Sequence, residues 1–285
     1  MSLTLRALDR VSLAGGVIND DRVGAAGDLA WAIDGATDVL DEPLIAGGSD
    51  AAWLAGVLDG TLAELADKPP PSPLDLVHTL TSTAARRFTA EQRRAPAAPF
   101  EQPSAAALIV CLRGEELEFV SLADCQCLVR RPGEVTVAIG ADAEVTQGDR
   151  RVIEVMQTIR ADSNAGWREA RASVWPRIRA ARARLNTPEG YGVLSIIPPP
   201  DKFVRTGRMP VVAGTTLLLA TDGFMRLVDL FGRYSSDEMV EIALRQGLPA
   251  LADELREMER ADGECVHVPR TKPHDDASAI LVGIA

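Results

Sequence analysis

The segment Gly16-Val-Ile-Asn-Asp-Asp-Arg-Val-Gly-Ala-Ala-Gly-Asp-Leu-Ala-Trp-Ala-Ile-Asp-Gly-Ala36 decides how this chain is read. Asn19-Asp20-Asp21 opens it, a turn follows over Gly24 to Asp28, and the apolar run Leu29-Ala-Trp-Ala-Ile33 stops abruptly at Asp34-Gly35. Such a segment folds back as a β-hairpin, and antiparallel partners stand opposite one another a few ångströms apart. Asp20 and Asp21 are therefore expected beside Asp34. Carboxylates gathered at one end of a buried sheet repel one another and resist desolvation, so they stay ionised only if a cation shares them. An all-oxygen donor set suits a hard divalent ion.

The same device recurs downstream. Thr215-Thr-Leu-Leu-Leu-Ala-Thr221 is a buried-strand run that ends in Asp222-Gly223, and His274-Asp275-Asp276 precedes the strand-like run Ala277-Ser-Ala-Ile-Leu-Val282. Together with Ala123-Asp124-Cys125, these stretches resemble the metal-dependent protein phosphatase family of the protein phosphatase 2C type. The family's motifs are N-E-D, an apolar strand ending in D-G, G-D-S, an apolar strand ending in [ST]-D-G, and D-N-x-T. Here they stand, in that order, as Asn19-Asp20-Asp21, Ile33-Asp34-Gly35, Ala123-Asp124-Cys125, Thr221-Asp222-Gly223 and Asp275-Asp276-Ala277-Ser278. One such motif is weak evidence; five in order over nearly the whole chain are fairly specific.

The resemblance implies an α+β fold, a four-layer α/β/β/α sandwich of central antiparallel sheets flanked by helices, in a single domain over residues 1–285. It implies a helical, lid-like insertion at about 143–190. It also implies two Mg²⁺ or Mn²⁺ ions, with Asp34 bridging both, Asp20 and the Gly35 carbonyl on one, and Asp222 and Asp275 on the other. Asp124 corresponds to an acid that helps hold a third, weaker ion. Asp21 corresponds to an acid that orients a water, so Asp21 and Asp34 are the expected catalytic residues. The implied reaction is hydrolysis of phosphoserine or phosphothreonine monoesters by a metal-activated water, on a phosphorylated protein that a cognate Ser/Thr kinase supplies.

The substrate side departs from the family pattern. Asp20 replaces a Glu, Gly16 stands where many members carry a phosphate-gripping Arg, and Ala36-Thr37-Asp38 replaces x-G-G or H-G-G. Ala123 replaces the Gly of G-D-S, and Pro103-Ser-Ala-Ala replaces G-S-T-A. Arg22 or Arg10 is then expected to take over the phosphate, Arg22 being the nearer to the acids in sequence. These departures leave a second function class open, a phosphatase-fold module that binds a phosphoprotein or signalling partner without turnover. A scaffolding protein with surface acids is a third.

Bulk properties narrow the field. The chain has 285 residues, is 46% hydrophobic and 25% charged, and carries a net charge of −11, an ordinary composition for a globular protein. The acidic balance argues against sequence-independent binding to nucleic acid or to an anionic membrane. No apolar run approaches the ~20 residues of a membrane helix, and the first ten residues lack a signal-peptide pattern. With four cysteines expected as reduced thiols, a cytoplasmic location is expected.

Elsewhere the pattern sets out helices and strands in turn. A first strand is expected over Arg10 to Ala14. A helix capped by Ser49 or Asp50 has Leu54, Leu58, Leu62 and Leu65 on one face, the Pro69–Pro73 cluster follows, and a second helix runs from Leu74 to Gln92. Segments 105–112, 116–122, 125–130 and 134–139 read as one antiparallel meander. Helices are expected over 149–160 and 176–185, with Pro176 in the first turn of the latter. Strands are expected over 193–197, 204–212 and 215–221. Ser235-Ser-Asp-Glu238 is a capping box, and Gly247 ends the helix it opens. Cys125-x-Cys127 with Cys265 and His267 would form a zinc site only if they converged; two core thiols on a strand are the simpler account. His274 is either a plain loop residue or a proton donor near the acids. There is no phosphate-binding loop, dinucleotide fingerprint or G-x-S-x-G elbow.

Overall fold

Alternation along the run at 29–33 places Leu29, Trp31 and Ile33 on one face and Ala30 and Ala32 on the other, as a period of two requires. Both faces are covered, so the run is buried throughout. The computed structural model describes residues 2–285 apart from 38, 41 and 164, and only the backbone of 144, 146 and 149.

Strand β1 (Leu5–Leu13) is followed by the acidic hairpin, β2 (Arg22–Ala26) and β3 (Leu29–Gly35). Helices α1 (Asp50–Leu65) and α2 (Pro73–Glu91) come next, then strands β4 (Ser104–Arg113), β5 (Glu116–Leu122), β6 (Gln126–Arg130) and β7 (Val137–Gly140). Helices α3 (Ala143–Ser163) and α4 (Trp167–Arg182) precede the two-residue β8 (Leu194–Ser195), β9 (Arg205–Pro210) and β10 (Thr216–Ala220). Helices α5 (Asp222–Asp229), α6 (Ser236–Gln246) and α7 (Leu248–Ala261) lead into the closing strand β11 (Ala277–Ile284).

The strands form two antiparallel sheets, β1-β11-β10-β6-β7 and β2-β3-β4-β5-β9, with β8 paired to β4. Three apolar cores hold the layers. Ala30, Leu108, Val110, Leu217, Leu219 and Ile280 fill the space between the sheets. Trp31, Ile33 and Ile109 pack against Leu54, Leu58 and Leu80 of α1 and α2. Leu218 and Leu281 pack against Phe224, Met239 and Leu255 of α5 to α7. The expected α/β/β/α sandwich is thus present.

Local signals held well. Ser49 caps α1 by accepting from the Ala52 amide, Ser72 caps α2 at the end of the proline-rich connection, and Ser235 and Glu238 make both bonds of a capping box. Ser235→Ala should cost about 1 kcal/mol in a denaturant melt. Gly247 ends α6 in a left-handed conformation at φ 84°.

Several expectations are corrected. The meander is two hairpins in different sheets: β5 pairs with β4 and β9, whereas β6 pairs with β10 and β7. The chain changes sheets at Ala123, whose φ of 63° makes the turn; alternation shows which residues are buried but not which sheet receives them. Pro176 lies inside α4 instead of opening it, and α3 and α4 extend beyond the expected 149–160 and 176–185. The strand expected over 193–197 shortens to β8, while β1 begins at Leu5, ahead of the expected Arg10.

Candidate functional site

Strand register brings the acids together. Arg22 faces Ile33 across the hairpin, so the turn before β2 lies at the Asp34 end of β3. In the other sheet Ala220 faces Ala279, so the end of β10 meets the start of β11, and Gln126 faces Ala220. Leu122 at the end of β5 faces Ala107 near the start of β4, and Gly35 faces Ala105. Asp20, Asp21, Asp34, Asp124, Asp222 and Asp275 therefore all lie at one end of the sandwich, on termini drawn from both sheets.

The glycine of each D-G motif makes this approach possible. A Cβ on Gly35 would lie 2.6 Å from the Asp20 carbonyl oxygen, and one on Gly223 would lie 1.9 Å from that of Asp276. Gly223→Ala should cost about 1–3 kcal/mol or more, because backbone must move to admit the methyl group. A denaturant melt checks this, and an unchanged midpoint would contradict it.

Specific bonds set the acids. Thr221, fully buried, donates its hydroxyl to Asp21 Oδ2 at 2.7 Å and accepts from the Ser278 amide at 3.0 Å. Asp20 Oδ1 accepts from the Ser49 hydroxyl at 2.6 Å, so the cap of α1 also fixes an acid of the cluster. Asp276 accepts from the Gly15 and Asp20 amides and ties the first acidic turn to β11. Asp34 and Asp222 interact directly, and two buried carboxyl groups so placed need a proton or a cation between them.

Asp275 is arranged differently. Its Oδ2 accepts from Arg226 Nη2 at 2.6 Å, and its Oδ1 takes the Asp276 amide at 3.0 Å and the Lys272 ammonium. Arg226 lies one helical turn beyond Asp222 on α5 and also binds the fully buried Glu259 at 2.7 Å. Glu259 in turn receives Arg256 at 2.5 Å and His274 at 2.9 Å.

The electrostatics divide accordingly. Burial, and then the surrounding carboxylates, push Asp21 and Asp34 well above the usual carboxylate range. Burial and Asp275 also raise Asp222, against the pull of Arg226, Asp34 and Lys272. Asp275 goes down to about 2, because Lys272 and Arg226 outweigh its burial. Burial pulls Lys272 down, but Asp275, Asp222 and Asp34 outweigh that and raise it.

A hard divalent ion fits the first group of acids. Asp21 Oδ1 is buried without a partner, the neighbouring donors are oxygens, and their mutual repulsion is what such an ion would relieve. It does not fit Asp275, both of whose oxygens are already held by cations and an amide. As the side chains stand, no group of three His, Cys, Asp or Glu among the described residues is set for a metal ion.

These shifts predict a pH dependence. Above the ordinary Asp value of 3.8 the folded chain keeps protons on Asp21 and Asp34 that the unfolded chain has released. Stability therefore falls as pH rises above that value. Asp275 acts oppositely, but its contribution is lost only as pH falls from 3.8 towards about 2. In a chelator, the melting temperature should decline between about pH 5 and pH 8; a rise would contradict the account.

The remaining candidates sort plainly. Arg22 turns its Nη1 to the carbonyls of Asn19 and Asp21, at 3.0 and 2.6 Å, and so braces its own turn. Arg10 is exposed on β1. Asp38 lies outside the described residues. Cys125 and Cys127 are buried free thiols that burial pushes upward, ill-suited to act as nucleophiles. Sequence reasoning missed Thr221 as the partner of Asp21, and Arg226, Glu259 and Lys272 as partners around Asp275. Thr221 lies inside a quoted motif; the others carry no spacing signal. Arg171 on α4 was also missed; burial lowers it, and the Asp275 charge acts against that.

No family model and no curated protein sequence matches the chain. Solved structures do. The Mycobacterium tuberculosis serine/threonine phosphatase PstP/Ppp is 18% identical, covers 98% of each chain and gives a TM-score of 0.58. The catalytic domain of serine/threonine protein phosphatase PstP, in complex with two manganese ions, is 18% identical over 100% of each chain at a TM-score of 0.57. PppA, a regulatory component of T6SS in Pseudomonas aeruginosa, is 16% identical, over 99% of this chain and 100% of its own, at 0.55. End-to-end coverage at so little identity means that the fold is shared where most side chains are not. The chain has the fold of the protein phosphatase 2C-type serine/threonine phosphatases.

Proposed function

We propose that the chain is a metal-dependent phosphatase acting on phosphoserine or phosphothreonine in proteins. One observation carries the proposal: Asp21, Asp34 and Asp222 converge from both sheets with a buried Asp21 oxygen unpartnered. Asp21, Asp34, Asp222 and the Gly35 carbonyl would hold Mg²⁺ or Mn²⁺, with Asp20 and Asp124 at the margin of the site. When bound, such an ion activates water and screens phosphoryl charge.

The chain's own groups do the rest. The Thr221 hydroxyl holds Asp21 Oδ2, which leaves Oδ1 to face the ion. Lys272 and Arg171 supply positive charge near Asp275 for the phosphoryl oxygens, where the family's arginine is replaced by Gly16. Helices α3 and α4, within the insertion expected at about 143–190, would act as a lid that bears Arg171. A cytoplasmic setting with a kinase-phosphorylated protein as substrate completes the reading. No helix among the described residues is long and apolar enough to cross a membrane.

The test is phosphate release from p-nitrophenyl phosphate and from phosphopeptides, in Mn²⁺ and in EDTA. Release with Mn²⁺ alone is expected; none in either condition would overturn the proposal. The cations already on Asp275, together with Gly16, favour one other reading, a module that binds phosphoprotein without turnover. Phosphopeptide affinity with no release would select it.

A further inference from the structure

The resemblance implies two ions, yet the carboxylate expected to hold the second is already neutralised by the protein. We propose that the Lys272 ammonium is a built-in cation that fills the Asp275 side of the cluster, so that the chain takes a single divalent ion, beside Asp21 and Asp34. This rests on the metal-dependent reading above and deepens it.

Geometry carries the argument. Lys272 bonds Asp275 Oδ1 and donates to the Thr37 hydroxyl at 3.2 Å. Thr37 follows Asp34-Gly35 by two residues. The ammonium thus links the entrance of β11 to the exit of β3, the two strand ends that a second divalent ion would have to join. Arg226 holds the other Asp275 oxygen, Oδ2, and is itself gripped by Glu259, so Oδ1, which Lys272 occupies, is the oxygen that a second ion would need.

Charge points the same way. Arg256 balances Glu259, Arg226 balances Asp275, and Lys272 offsets Asp222. The carboxylates around Asp21 and Asp34 still repel one another, and a divalent ion beside these two would relieve that repulsion. A second ion would be placed against an ammonium and a guanidinium, and like charges at such range in a crevice repel strongly. The unpartnered oxygen belongs to Asp21, on the side where the ion is proposed, and Asp275 has none.

The experiment counts Mn²⁺ by calorimetric titration and reads its environment by electron paramagnetic resonance, in wild type, Lys272→Met and Lys272→Arg. Wild type and Lys272→Arg are expected to bind about one ion per chain with the spectrum of an isolated ion. Lys272→Met is expected to bind about two, with the spectrum of a coupled pair. Two ions in wild type would overturn the inference and leave the metal-dependent phosphatase standing. One ion in a folded Lys272→Met would also overturn it. No binding to any of the three would remove both. Should Lys272→Met fail to fold, the wild-type and Lys272→Arg counts still decide.

Discussion

Asp34→Asn is expected to lower Mn²⁺-dependent hydrolysis of p-nitrophenyl phosphate by at least about 10²-fold, the scale seen when one preorganised charge-stabilising group is lost. Asp34 lies at the end of the buried strand β3, near Asp21 of the adjoining turn and Asp222 at the start of α5. The amide keeps the shape of the carboxyl group and removes its charge. The same variant should be at least as stable as wild type in a chelator at neutral pH, because the folded wild type must hold a proton on Asp34 or suffer its repulsion. Lost activity with undiminished stability separates a functional acid from a structural one. An inactive variant that is also destabilised would indicate a packing role instead.

Arg226→Ala is expected to destabilise the fold by about 3–5 kcal/mol, the scale on which breaking a buried ion pair destabilises a protein. Arg226 joins Asp275 at 2.6 Å to Glu259 at 2.7 Å, and Glu259 is fully buried. Removing the guanidinium leaves Glu259 to Arg256 and His274, and leaves Asp275 to Lys272 alone among side chains. The melting temperature should drop by on the order of 10 °C. A shift within a degree or two would mean that water reaches the pair and that the network contributes little.

Much of the fold was legible because its signals are local. Alternation at 29–33, the cap at Ser49 and the box at Ser235 each depend on a few neighbouring residues, and each appears as read. The acidic hairpin was legible for the same reason. The allocation of β6 and β7 to the second sheet was not, since it depends on which distant strand offers an edge. Within the site, acids at strand ends could be found because D-G marks a close approach of backbone. Lys272 and Arg226 could not, because a cation's worth there depends on Asp275, Asp222 and Glu259 meeting it in space. Arg22 shows another limit: sequence made it a phosphate candidate but could not show that one nitrogen of its guanidinium braces two carbonyls of its own turn.

The central claim, that distant aspartates share a divalent ion, is tested most directly by melting wild type and Asp34→Asn in EDTA and in Mn²⁺ at neutral pH. An ion at about a hundredfold excess over its dissociation constant stabilises by about 2.7 kcal/mol. Wild type should therefore melt several degrees higher in Mn²⁺, while Asp34→Asn should hardly move. Equal shifts in both proteins, or no shift in wild type, would contradict the account.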